Sequence, residues 1–139
     1  QMFVDKYDVM CADNTTVYEG GMELLARLKS EGNVLVVITM KARVPTLRIL
    51  KAHGMDMFDD VIAFDDVEKR KPDPDSFFKL LDKHGVEPSD AIMIGDTTTD
   101  MQYAKNAGVD ACAATFGYGV TQELLDLSPD YEISSLKEF

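Results

Sequence analysis

Two carboxylates lie four residues apart directly behind an apolar run of the chain. The run 91–94 (AIMI) is followed by Gly95, Asp96 and, after three threonines, Asp100. Glycine lets a backbone approach a ligand closely, and Mg²⁺ binds through one or two carboxylates while it keeps several waters. We therefore predict that Asp96 and Asp100 hold Mg²⁺. The alternative, capping and dipole stabilisation of the next helix, explains one carboxylate but not the whole arrangement.

Two more polar side chains follow apolar runs. Thr39 comes directly after 34–38 (VLVVI), and its hydroxyl can donate to a phosphoryl oxygen. Lys71 follows the run 61–64 and precedes Pro72, which favours extended backbone and lets its ammonium group point at one anion. Taken singly, Thr39 also fits a hydroxyl at a helix start, and Lys71 fits a solvated basic stretch.

The elements that must position these residues alternate along the chain. Continuous apolar runs are typical of strands covered on both faces, as in parallel sheets. The pattern predicts an α/β fold with a parallel sheet flanked by helices. Such sheets bind ligands at the carboxyl ends of their strands, so the four polar residues should converge there. Strands are predicted at 34–38, 61–64, 91–94, 111–114 and 131–133, and helices at 22–29, 45–53, 73–84 and 100–107.

Composition limits the classes of function. The chain has 139 residues, 45% of them hydrophobic and 28% charged, which fits one globular domain. A net charge of −11 argues against binding to a nucleic-acid backbone. No apolar run approaches the roughly 20 residues that cross a bilayer. Two distant cysteines, Cys11 and Cys112, and no export signal predict a cytoplasmic protein. His53 and His84 each precede a helix-ending glycine, which favours a structural role.

Three stretches together resemble the second, third and fourth motifs of the haloacid dehalogenase superfamily. They are 36–39 (VVIT), 71–74 (KPDP) and 94–100 (IGDTTTD), in the same order and at similar spacing. The resemblance covers nearly all of the chain from Tyr18 onward. Phosphoglycolate phosphatase-like members also leave their cap domain through a stretch similar to 15–20 (TTVYEG). The resemblance implies a Rossmann-like sheet.

The resemblance also implies a Mg²⁺-dependent phosphatase acting on a small phosphorylated metabolite. In that chemistry an aspartate attacks phosphorus, and water hydrolyses the resulting aspartyl-phosphate. Thr39 would hydrogen-bond the phosphoryl group, and Lys71 would balance charge between nucleophile and phosphate. Asp96 would ligate Mg²⁺, and Asp100 would support that site. Met40 stands where relatives often carry asparagine, a departure that affects one polar contact near the phosphate.

The family's first motif, Asp-x-Asp-Gly-Thr at the end of a central strand, is absent from the sequence. The nearest imitation, 11–15 (CADNT), has Cys11 at the nucleophile position, lies on a helical pattern and is too near the second motif. Phe3, Val4 and Tyr7 lie at helical spacing, which predicts a helix from residue 1 to about 12. Residues 1–17 would be a residual cap helix and exit linker. Residues 18–139 would be a partial core whose first central strand is missing.

A core without its central strand would leave buried backbone groups unpaired, at about 1–3 kcal/mol each. A piece of chain outside this sequence, a second copy swapped in a homodimer, or the N-terminal segment rebuilt as a strand could fill the place. Enzymatic activity of this chain therefore stays open. It is part of a phosphatase whose nucleophile lies elsewhere, or an inactive module that retains a Mg²⁺/phosphate pocket. A receiver-like signalling domain is disfavoured, because no acidic residues suitably follow the first strand.

Overall fold

Within the part of the chain that the structure describes, six parallel strands form one sheet in the order β3-β2-β1-β4-β5-β6. This computed structural model describes residues 2–5, 20–116 and 120–139. The predicted α/β class with a parallel sheet is confirmed. The strands are β1 (Met2–Asp5), β2 (Val34–Ile38), β3 (Asp60–Ile62), β4 (Ala91–Gly95), β5 (Asp110–Ala114) and β6 (Tyr131–Ile133).

All four predicted helices are present, with ends shifted by up to two residues, and a short fifth helix follows β5. Helix α4 begins earlier than predicted because the Thr97 side chain accepts a hydrogen bond from the Asp100 amide and caps it. No helix in the described ranges is long and apolar enough to cross a membrane. The helices are α1 (Gly21–Ser30), α2 (Arg43–Ala52), α3 (Asp75–His84), α4 (Thr98–Ala107) and α5 (Thr121–Asp126).

The helix predicted from residue 1 to about 12 is wrong for Met2–Asp5, which is the central strand of the sheet. Asp5 is in register with Val37 of β2 on one side and with Ile94 of β4 on the other. The physical reason is backbone pairing. Because β2 and β4 are buried, their facing N–H and C=O groups need partners, and this requirement outweighs a weak local helical periodicity.

The central place in the sheet is therefore filled, and the prediction of a missing first strand is wrong. Of the three candidates for that place, the rebuilt N-terminal segment is the one that the structure contains. The sheet needs neither a swapped second copy nor another polypeptide to pair β2 with β4. The stretch 11–15 and the predicted exit linker lie outside the described residues.

Helices cover both faces of the sheet. Successive side chains of a strand point to opposite faces, so β2 contributes Val36 and Ile38 to one buried cluster and Leu35 and Val37 to the other. Helices α3 and α4 pack on the first face, and α1 and α2 pack on the second. Main contributors to the first are Phe77, Leu80, Met101 and Ala104, and to the second Leu24, Leu28 and Leu50.

The first residue of β3 anchors the end of α3. The Lys83 ammonium donates to the Asp60 carboxylate at 2.7 Å, and the His84 ring nitrogen Nε2 lies 3.1 Å from the same oxygen. Burial alone would raise the pKa of Asp60, but hydrogen bonds from Lys83, His84 and the Val61 amide outweigh it and lower the pKa. His84 therefore contacts a structural carboxylate rather than a predicted site residue.

We expect the Asp60 carboxylate to make the free energy of unfolding depend on pH in the acidic range. Because the pKa of Asp60 is lower in the folded chain, its contribution is complete above about pH 4 and is lost as pH falls through the folded value. Asp60→Asn should lower the free energy of unfolding by about 1 kcal/mol at pH 7, a small effect because Lys83 is exposed. Urea denaturation at pH 7 and pH 3 measures it.

The exposed Asp56→Asn is the matched control, since Asp56 forms no ion pair with any residue of the described ranges. Its stability should equal that of the wild type at both pH values. A loss in Asp60→Asn that is equally large at pH 3 would contradict the assignment.

Candidate active site

The carboxyl edge of the sheet carries two buried polar residues on the strands that flank β1. Thr39 follows β2 and is 2% exposed, and Asp96 follows β4 and is 4% exposed. The Thr39 amide donates to the Ile62 carbonyl of β3 at 2.9 Å, and its Oγ1 accepts from the Lys41 amide at 3.1 Å. These bonds fix the Thr39 side chain at the strand end.

A buried ion pair joins the third motif to the fourth. The Lys71 ammonium donates to Asp100 Oδ1 at 2.8 Å, with the two side chains 2% and 0% exposed. A pair so fully removed from water requires close geometry, because desolvation costs several kcal/mol per ion. It therefore fixes the loop before α3 against the first turn of α4.

The second oxygen of Asp100 is held by its own helix. Asp100 Oδ2 accepts from the Thr97 hydroxyl at 2.9 Å and from the Thr97 amide at 3.3 Å, while the Asp100 amide donates back to the hydroxyl. This is a reciprocal capping box. Asp100 thus combines the helix-capping role given above as an alternative with contact to Lys71. Sequence reasoning missed Thr97, although Thr-x-x-Asp before a helix indicates this motif.

Gly95 makes room for Asp100. A Cβ atom built on Gly95 would lie 2.3 Å from Asp100 Cβ and 2.6 Å from Oδ2. No side chain fits there, so the glycine is required by the close approach of strand β4 to helix α4. That approach brings Asp100 against the residue that precedes Asp96.

A narrow cleft brings Thr39 and Lys71 to one place. Its wall also includes Met40, Phe64 and Arg70. Lys71 in turn binds Asp100, which packs against Gly95 beside Asp96. The four predicted site residues thus form one continuous group at the carboxyl edge.

Ser76, which lines this cleft, forms a buried hydroxyl pair with Tyr103 that sequence reasoning missed. Ser76 Oγ and Tyr103 Oη lie 2.7 Å apart, and the Tyr103 ring centroid is 5.1 Å from that of Phe77. Ser76 lines the cleft with Lys71. Burial raises the pKa of Tyr103, so its phenol stays protonated and neutral. The pair packs α3 on α4 beneath the site.

The oxygen donors of the site fit Mg²⁺ in a limited way. Within the described ranges no three His, Cys, Asp or Glu side chains form a metal-binding group. Carboxylate oxygens suit hard cations, and Mg²⁺ needs only one or two of them. Asp96 can supply one directly. Asp100 already accepts hydrogen bonds from Lys71 and Thr97, so it would contact Mg²⁺ through a water molecule rather than directly.

A sequence profile described as haloacid dehalogenase-like hydrolase matches residues 1–114. The chain belongs to this family. It is 37% identical over 124 residues to pyrophosphatase PpaX of Halalkalibacterium halodurans. This alignment covers 87% of this chain and 57% of that protein. It is 30% identical over 139 residues to phosphoglycolate phosphatase of Vibrio vulnificus, covering 99% of this chain and 61% of that one.

The fold comparison agrees with this assignment. The crystal structure of a predicted phosphoglycolate phosphatase of Haemophilus somnus superimposes with a TM-score of 0.84 at 28% identity, over 88% of this chain and 55% of the other. This chain thus spans about three fifths of the length of its curated relatives. The predicted Rossmann-like fold of the haloacid dehalogenase family is confirmed.

The ion pair predicts a non-additive double-mutant cycle. Lys71→Met and Asp100→Asn should each lower the free energy of unfolding by about 3 kcal/mol. Each substitution leaves the other member of the pair buried without its oppositely charged partner. The double variant should lose less than the sum, by about 1–3 kcal/mol. Denaturant titration of the four proteins measures this coupling.

The exposed pair Lys79–Asp75, 3.0 Å apart on α3, provides the matched control. Its cycle should give a coupling below about 0.5 kcal/mol. Additive losses at Lys71 and Asp100 would show that the two charges do not support each other.

We expect Gly95→Ala to disturb the site more than its size suggests. The added methyl overlaps Asp100, so α4 must move away from β4, and the free energy of unfolding should fall by about 1–3 kcal/mol. Denaturation together with the NMR shifts of Asp100 and Lys71 measures the effect. A variant with wild-type stability and unchanged shifts would contradict the close contact.

Proposed function

We propose that this chain is the core of a Mg²⁺-dependent phosphatase that acts on a small phosphorylated metabolite through an aspartyl-phosphate intermediate. The observation that carries the proposal is the buried Lys71–Asp100 pair, beside Thr39 and Asp96 at the carboxyl edge. A purely structural core has no need for an ammonium group and two carboxylates buried there, since such groups are costly to desolvate.

Each residue has a role that its position supports. Thr39, at the end of β2, donates a hydrogen bond from its hydroxyl to a phosphoryl oxygen. Lys71, oriented by Asp100 at 2.8 Å, balances negative charge between the attacking carboxylate and the phosphate. Thr97 keeps Asp100 in place. When bound at Asp96, Mg²⁺ supplies positive charge that stabilises the phosphoryl oxygens.

We propose that the nucleophilic aspartate lies outside this chain. The sequence contains no Asp-x-Asp-Gly-Thr stretch, and the relatives are longer than this chain. A second candidate has one specific observation in its favour. The backbone places Asp5 at the carboxyl end of the central strand, between β2 and β4. Substitution of Asp5 therefore distinguishes a nucleophile outside this chain from Asp5 itself.

The relatives support a substrate that carries a second anionic group next to its phosphate. Phosphoglycolate and pyrophosphate, named for two of them, share this feature. We propose the same class here. A reducing cytoplasm is the location that the two distant cysteines support.

The experiment is Mg²⁺-dependent phosphate release from p-nitrophenyl phosphate. We expect little turnover by this chain alone. Turnover should appear when it is combined with the portion of the Vibrio vulnificus relative that it does not span, provided that this portion replaces β1 in the central place of the sheet. Asp96→Ala should abolish that turnover, while Asp90→Ala, exposed at the opposite end of β4, should retain it. No turnover by the combined protein would contradict the proposal.

Turnover by this chain alone that disappears in Asp5→Asn would instead place the nucleophile in the chain. The inactive module is the alternative function, favoured by the absent first motif. It predicts binding of Mg²⁺ and phosphate in calorimetry without turnover in any combination.

A further inference from the structure

Arg70 lies beside the proposed phosphate site, and no carboxylate of the described residues offsets its charge. It lines the same cleft as Thr39 and Lys71. The charge of Lys71 is offset by Asp100 at 2.8 Å. Arg70, in contrast, forms no ion pair with a carboxylate of the described residues. The cleft therefore presents one offset cation and one cation that remains available to a ligand.

Two acidic residues that precede Arg70, Asp65 and Asp66, are already engaged elsewhere. Asp66 Oδ2 accepts from the Arg43 guanidinium at 2.6 Å, and Asp65 Oδ1 accepts from the Arg43 amide at 2.8 Å. Both carboxylates are thereby directed to the start of α2. This arrangement keeps them away from Arg70, although the protein carries a net charge of −11.

The guanidinium group of Arg70 is also held in place. Its Cζ lies 3.6 Å from the centroid of the Phe64 ring, and its Nε donates to the Phe64 carbonyl at 3.3 Å. Phe64 is itself fixed, because its amide donates to the Lys41 carbonyl at 2.9 Å. With its face and Nε occupied, the group presents its two terminal amino groups. A planar fork of this kind matches a carboxylate or a phosphate.

We propose that Arg70 is a specificity-determining residue that binds the second anionic group of the substrate. This inference rests on the function proposed above and adds the group that selects the substrate. Phe64 is its positioning residue. A phosphate ester with a neutral substituent binds Thr39 and Lys71 but gains nothing from Arg70.

The test is titration calorimetry of this chain in Mg²⁺ with two non-hydrolysable probes. Phosphonoacetate carries a carboxylate next to its phosphonate, and propylphosphonate has similar length without it. The wild type should bind phosphonoacetate about tenfold more tightly, as expected for one charge-assisted contact. Arg70→Gln should remove most of this ratio while the affinity for propylphosphonate changes less than twofold.

Lys69→Gln is the matched control, because Lys69 is an adjacent exposed cation outside the lining of the cleft. It should keep the wild-type ratio. Three results would overturn the assignment: equal binding of both probes by the wild type, a ratio that persists in Arg70→Gln, or an equal loss of both probes in that variant. If the wild type binds neither probe, the phosphate pocket and the proposed function fail together.

Discussion

The arrangement of the site depends on one buried ion pair, Lys71 with Asp100. It is the only ion pair among the described residues whose two side chains are both almost wholly removed from water. Its two members come from the loop before α3 and from the first turn of α4, 29 residues apart in sequence. Because neither charge is tolerated alone in that environment, the pair makes the positions of that loop and of α4 interdependent.

The pair is in turn possible because of local backbone choices. Gly95 admits the Asp100 side chain against strand β4, and the capping box with Thr97 satisfies its second oxygen. The hydroxyl pair of Ser76 and Tyr103 packs α3 on α4 below. Each feature is modest in energy. Together they fix the direction of one ammonium group, as the proposed charge compensation at a phosphate requires.

Most of the fold could be predicted from the sequence, because runs such as 34–38 and 91–94 have one interpretation at their length. That Thr39 and Asp96 lie at one edge of the sheet could be predicted because parallel strands end at a common edge. The first strand could not. Residues 2–5 have a periodicity that fits a helix, and only the unmet backbone groups of β2 and β4 decide otherwise. Strand pairing over such distances is not visible in a local pattern.

The interaction partners of individual side chains could not be predicted from the sequence either. The basic stretch before Pro72 gives no indication that Lys71 is buried while Arg70 lies on an aromatic ring. Residue type predicts charge, but the protein environment decides whether that charge is offset. The same distinction applies to His84, whose partner Asp60 lies on a strand 24 residues away.

We propose that Thr39, Lys71 and the two aspartates form a single pocket for a cation and an anion together. Calorimetric titration of Mg²⁺ into the chain, with and without inorganic phosphate, tests it most directly. We expect that phosphate tightens Mg²⁺ binding severalfold and that Mg²⁺ tightens phosphate binding by the same factor, as linkage requires. Independent binding of the two ions, or Mg²⁺ binding that is unchanged in Asp96→Ala, would contradict it.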